Sequence, residues 1–422
     1  RRPTVGGRKV GYLLEGCGKQ AVMPMYDSAI WREAYFDMVR AFGKRFEGHP
    51  QVTSVAVLTG IDGETHPTKD WYCAWQTEIL PQQAPGVAPS FLQFCKDTIA
   101  VYRQAFPYMP LYVASAPGSS GNRTVLAAYA ASMMPPVGLK HCGLTTDLDS
   151  HQGYGSFVGS WDMIRAYSTT VPIWLESVYA WGSHEAAYWS LIAGLHYHPD
   201  AMDLHKENLD AATPEMLHFT SAHLGVTLAD TPSVWTVFRD LEYPLQTWGS
   251  GGVSGHVGDW CFWLVRSDDA PESRTERVWR ADLPAGKESV YGRQSRRTLQ
   301  DEGQRYISLD INDGYPYVSQ PPADSQRDGV YYIVNVTLLN HGSDTLALQY
   351  LGVNGDLISQ TLQKGPALGP VDDWVTVRFE VTDGIWRELV DTCNRWNEPG
   401  EFVTLVSYES AGGNGNDPDN IS

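Results

Sequence analysis

No apolar run in this sequence reaches the roughly 20 residues that a membrane-spanning helix needs, so no transmembrane segment is expected. Basic residues are scarce. Against 49 Asp and Glu stand 31 Lys and Arg, a formal net charge of −18, and no segment is dense enough in cations to neutralise phosphates. Nucleic acid and an anionic membrane are therefore excluded as partners. The six cysteines (Cys17, Cys73, Cys95, Cys142, Cys261 and Cys393) form no CxxC and no zinc spacing; disulfides stay open, while neither a metal nor a cofactor is expected. Nor is there a GxSxG elbow, a P-loop, an HExxH or a GxGxxG. Those gaps remove the serine esterase, NTPase, zincin and dehydrogenase readings.

What is present divides in two. A chain of 422 residues exceeds the size at which one core stops growing, so two domains are expected. Over residues 1–265 short β-like runs alternate with segments of helical periodicity, the pattern of βα units around a parallel sheet. The runs are KVGYLLE (9–15), VTSVAVLTG (52–60), PLYVASA (110–116), GLKHCGLTT (138–146), VPIWLES (171–177) and DAMDLHK (200–206). Between them, 28–46 repeats Ile30, Tyr35, Met38, Val39 and Phe42 at helical spacing with Ser28 available as N-cap, and 90–106 behaves likewise. Beyond Trp263 the character changes to strand-like alternation broken by Gly, Pro and Asp. Residues 304–313, 329–340, 345–352, 374–383 and 401–410 are the best strands of an antiparallel β-sandwich over 266–411, followed by a flexible Gly/Asn/Asp-rich tail over 412–422.

Two glutamates carry the chemistry. Glu64 follows the run 52–60, and Glu176 closes the run 171–176. In a (β/α)8 barrel the strand ends at the C-terminal face hold the reacting groups, so both carboxylates are placed for chemistry. The order resembles that of the clan-A glycoside hydrolases, whose acid/base Glu ends strand four and whose nucleophile Glu ends strand seven. Two further strands lie between Glu64 and Glu176, and 176 − 64 = 112 residues suits three βα units of roughly 30–40 residues. Gly63 stands where the commonest pattern of that clan has Asn.

The resemblance implies a fold, an activity and a site. The fold is an α/β TIM-type barrel contributing strands three to eight, followed by the sandwich as an accessory module. Strands one and two fall outside the chain, so an upstream segment of the same polypeptide, or a second chain, is expected to complete the barrel. The activity is retaining hydrolysis of a β-linked glycan, with Glu64 as acid/base and Glu176 as nucleophile. Around them, His66, Asp70, Trp71, Trp75, Tyr154, Tyr179, Trp181 and Asp203 are the expected substrate-binding residues. Tyr154 and Tyr179 are also candidate partners of Glu176. An aromatic content of 12%, with 15 Trp and 22 Tyr, suits stacking on sugars, and equally suits a lid, a large core or a sandwich. The setting is extracellular or cell-surface. The alternative is a non-catalytic surface or matrix protein that binds glycans, or assembles with copies of itself, on the same scaffold.

Overall fold

The computed structural model describes residues 4–5, 8–9, 11–14, 21–24, 26, 28–60, 65, 89–114, 120–145, 163–164, 166–177, 180–238, 259–267, 271–278, 295–312, 330–352, 356–384 and 402–408. The chain divides into two compact units, and it crosses between them more than once. One comprises Arg1–Gly182, Tyr197–Ala211 and Gln246–Ser254; the other comprises Ser183–His196, Ala212–Leu245 and Gly255–Ser422.

The first unit opens with two antiparallel ribbons, β1 (Thr4–Val5) on β2 (Arg8–Lys9) and β3 (Gly11–Leu14) on β4 (Ala21–Pro24). Here the structure departs from the expectation for 9–15. Only residues 15–20 separate β3 from β4, too few for the crossover of a dozen or more residues that a parallel neighbour requires, so β3 pairs with its successor. Next come α1 (Ala29–Phe46), β5 (Val55–Val57), α2 (Pro89–Ala105), β6 (Leu111–Ala114), α3 (Ser120–Ala131), β7 (Gly138–Cys142), β8 (Ile173–Glu176) and β9 (Ala201–Asp203). Strands β5 to β9 form one parallel sheet whose spatial order is the chain order, β5-β6-β7-β8-β9.

Alternation along these strands sorts the side chains. Val57, Leu111, Val113, Leu139, Ile173 and Leu175 are buried and share one face. The opposite face carries Tyr112, Lys140, Trp174, Glu176 and Asp203. Helix α1 lies close on α2, because a Cβ on Gly43 would fall 2.2 Å from the Ala105 carbonyl oxygen. Ser28 takes the N-cap position with extended backbone but makes no side-chain capping bond. The short helix α4 of this unit, Lys206–Ala211, follows β9.

The second unit contains helix α5 (His184–Leu195), capped by Ser183 accepting from the Ala186 N–H at 3.1 Å, and α6 (Pro214–Ala222), capped by Thr213. Residues 189–195 of α5 are all buried, as expected of a helix that is apolar on every side. Its strands are β10 (Trp235–Val237), β11 (Trp260–Phe262), β12 (Leu264–Ser267), β13 (Thr275–Val278), β14 (Ser295–Thr298), β15 (Tyr306–Ile311), β16 (Val330–Leu339), β17 (Thr345–Leu351), β18 (Leu357–Gln363), β19 (Trp374–Gly384) and β20 (Phe402–Tyr408). All pair antiparallel: a five-stranded sheet β12-β15-β20-β17-β18 and the two-stranded pairs β10-β11, β13-β14 and β16-β19. Ile307 and Leu309 of β15 and Leu346 and Leu348 of β17 share one apolar cluster with Val336 and Leu338 of β16 and Val377, Phe379 and Val381 of β19.

Candidate functional site

The C-terminal ends of β7, β8 and β9 bring a set of ionisable groups to one edge of the parallel sheet. In register, Cys142 lies beside Glu176 and Glu176 beside Asp203. One layer further in, Lys140 lies beside Trp174, and Trp174 beside Ala201. From that inner layer Lys140 reaches up: its Nζ is 2.8 Å from Glu176 Oε2 and 3.7 Å from Asp203 Oδ2. The ammonium also lies 5.2 Å from the centre of the Trp174 ring, a cation–π contact, and Trp174 meets Tyr112 edge to face at 5.2 Å. Side-chain exposure rises from Lys140 at 22% through Glu176 at 34% to Asp203 at 52%, so the carboxylates open to solvent above a more enclosed cation.

Glu176 is fixed through backbone and side chain. Its carbonyl oxygen accepts from the Gly143 and Leu144 N–H groups at 2.8 and 2.9 Å. Gly143 has φ +125°, a conformation that favours glycine. On the side chain, the Cys142 thiol donates to Oε2 at 3.1 Å, the oxygen that also faces Lys140. Oε1 takes no hydrogen bond among the described residues. Burial pushes the Glu176 carboxyl up, but hydrogen bonds from Lys140 and Cys142, with the charges of Lys140 and His205, outweigh it and hold the group below the usual carboxylate range. Burial likewise pushes the Lys140 amine down, and Glu176 foremost, then Cys142 and Asp203, raises it above ordinary lysine. The site thus holds an ionised carboxylate with one oxygen engaged and one open.

The flanking loops are tied to the same edge. Ser177 is buried; its N–H donates to the Asp203 carbonyl at 2.9 Å and its hydroxyl accepts from the His205 N–H at 2.9 Å. Thr65, directly after Glu64 in sequence, is buried and donates its hydroxyl to the carbonyl of Ala114, the last residue of β6. Glu64 itself, and His66, Asp70, Trp71, Trp75, Tyr154 and Tyr179, lie outside the described residues. Trp181 differs from the expectation of an open sugar platform: it is 6% exposed. Its indole N–H donates to the Leu144 carbonyl at 3.0 Å, and its backbone N–H donates to Asn208 Oδ1 at 2.7 Å, so it braces loops. Cys95 is a buried free thiol.

Sequence reasoning missed Lys140 and the role of Cys142. A signal was available: a lysine in the middle of GLKHC, a run otherwise fit for a buried parallel strand, demands a counter-ion close by. Among the described residues no group of three or more His, Cys, Asp or Glu is arranged to hold a metal ion.

No family model and no curated protein matches this chain. Among solved structures it is similar to N2152 from Neocallimastix frontalis, at 10% identity and a TM-score of 0.30 over 92% of this chain and 77% of that one. It is also similar to Cel44A, a GH family 44 endoglucanase from Clostridium thermocellum, at 10% identity and a TM-score of 0.26 over 89% of this chain and 70% of that one. Likenesses this slight leave fold and function to rest on the chain's own geometry.

Proposed function

We propose that this protein is glycoside-hydrolase-like and hydrolyses a β-linked glycan with retention, Glu176 serving as nucleophile and Glu64 as acid/base. The observation that carries the reading is the state of Glu176: ionised, at the C-terminal end of a parallel strand, its side chain 34% exposed and its Oε1 without a hydrogen bond among the described residues. A retaining nucleophile needs that combination, since the oxygen that attacks the anomeric carbon must be unprotonated and unobstructed. The larger architecture read with it is a (β/α)8 barrel over 1–265, a β-sandwich over 266–411 and a tail over 412–422, in an extracellular or cell-surface setting. Chain-ordered parallel strands support the barrel, because winding in one direction without reversal is what closure requires. An apolar cluster fed by two antiparallel sheets supports the sandwich. Met38 and Phe42 of α1 are 39% and 47% exposed. They support completion of the barrel by further βα units, from the same polypeptide or from a second chain.

A second reading keeps the scaffold and drops the chemistry: a glycan-binding or self-assembling surface protein. The Lys140–Glu176 ion pair favours it, because a carboxylate in such a pair can serve structure alone. Glu176→Gln separates the two. In an enzyme, turnover of a panel of β-glycosides falls by about 10⁴-fold while the circular dichroism spectrum is kept; turnover that persists excludes Glu176 as nucleophile. Glu64→Gln should cost far less on an aryl glycoside with a good leaving group than on a natural glycan, because only the poor leaving group needs its proton.

A further inference from the structure

Lys140 faces two carboxylates at unequal distances, 2.8 Å to Glu176 and 3.7 Å to Asp203. In retaining hydrolysis Glu176 Oε1 forms a bond to the anomeric carbon as the bond from that carbon to the leaving oxygen breaks. The electron pair passes to the leaving oxygen, which takes a proton from the acid, and the carboxylate becomes a neutral ester. Its negative charge is then gone, and a largely enclosed ammonium has lost the carboxylate charge 2.8 Å away. Asp203 stands on the next strand, in register with Glu176 and within a short side-chain movement of the same nitrogen.

We infer that Lys140 is a positioning residue shared between two carboxylates: it holds Glu176 ionised and aimed in the free protein, and pairs with Asp203 when Glu176 loses its charge. The inference rests on the nucleophile reading of Glu176, but its test requires no turnover. Three features fit it. The ammonium itself lies over the Trp174 ring, 5.2 Å from its centre, and the two carboxylates it faces stand on neighbouring strands. Cys142 donates to the same oxygen as Lys140, which leaves Oε1 as the attacking atom throughout. Asp203 is the most exposed of the three charged groups, and so can tolerate waiting for its partner at the longer distance.

The test uses Glu176→Gln as a permanent mimic of the neutral state. A crystal structure of that variant should show the Lys140–Asp203 separation closing from 3.7 Å into hydrogen-bond range. An ammonium that stays beside Gln at position 176 overturns the inference. Independently, Lys140→Met should move the Glu176 titration upward and Lys140→Arg should restore it. If the Met variant does not fold, the Glu176→Gln structure and the Arg variant still decide. In an active protein Lys140→Met also shifts the acid limb of kcat/KM to higher pH and loses roughly 100-fold in kcat, the cost of a misplaced reacting group. Absence of turnover in the parent, with these titrations as expected, removes the glycosidase reading alone.

Discussion

A titratable group in an apolar setting is retained only where its neighbours offset desolvation, and His223 shows the same rule as Lys140 with the opposite sign. His223 is buried among Phe219, Trp235 and Phe262. Its Nδ1 faces the Phe219 carbonyl at 2.8 Å, so that nitrogen must carry the proton; Nε2, 2.9 Å from the Ser233 hydroxyl, then accepts. Burial holds the imidazole below the usual histidine range, against a smaller opposing effect of the Phe219 carbonyl. The unfolded chain, with its ordinary histidine near pH 6.5, binds the proton more readily than the folded one. Stability is therefore full above about pH 6.5 and falls as pH drops from there toward the lower folded value. His223→Phe keeps a ring in the cluster and removes the titration. It should cost about 1–2 kcal/mol near neutrality through the two lost hydrogen bonds, yet show a shallower loss of melting temperature on acidification. A parallel loss in both proteins would assign the acid sensitivity to other groups.

At the scale of elements, close approaches set what the sequence can carry. A Cβ on Gly138 would lie 2.4 Å from the Pro172 carbonyl oxygen and 2.8 Å from Tyr112 Cδ1, so alanine there forces β7 away from β8 and disturbs the ring that supports Trp174. Gly138→Ala should cost about 1–3 kcal/mol in denaturant unfolding, the range for overpacking. Gly48 has φ +69° and nothing within 4 Å of an added Cβ, so its alanine variant should lose only about 1–2 kcal/mol, from the left-handed backbone. An unchanged midpoint for Gly138→Ala would mean that strand β7 relaxes freely. The same scale explains what could be read beforehand. The five parallel strands and helices α1 and α2 were legible because short apolar-rich runs alternate with longer segments of helical period. The partner of β3 was not, since the period marks a strand and not its neighbour, which loop length decided. Strand β18 escaped because LISQTLQ alternates with little apolar content, and β13 and β14 because TERV and SRRT are short and charged. At the site, Glu176 and Asp203 were legible from their places at strand ends, and Lys140 only as an anomaly. The packing of Trp181 was not legible at all, because an indole serves a lid and a sugar face with the same chemistry.

The whole molecule carries 49 − 31 = 18 more carboxylates than basic side chains, and that imbalance opposes compactness through self-repulsion. At low ionic strength the screening length of about 30 Å spans much of a domain, so excess charges act on one another across it. Surface ion pairs such as Lys206–Asp210 and Arg378–Glu380 work in the other direction. Each contributes little, because both partners are exposed to water, and is weakened by the same salt. With so large an excess, relief of repulsion should outweigh loss of pairs, and the melting temperature should rise between roughly 10 mM and 150 mM sodium chloride, where the screening length shortens to about 8 Å. The cause can be separated from a general salt effect by repeating the series near pH 5.0, the value at which the net charge of this sequence vanishes. There the repulsion is absent, so the rise should collapse or reverse. A rise of the same size at both pH values would instead assign the stabilisation to salt-strengthened apolar burial.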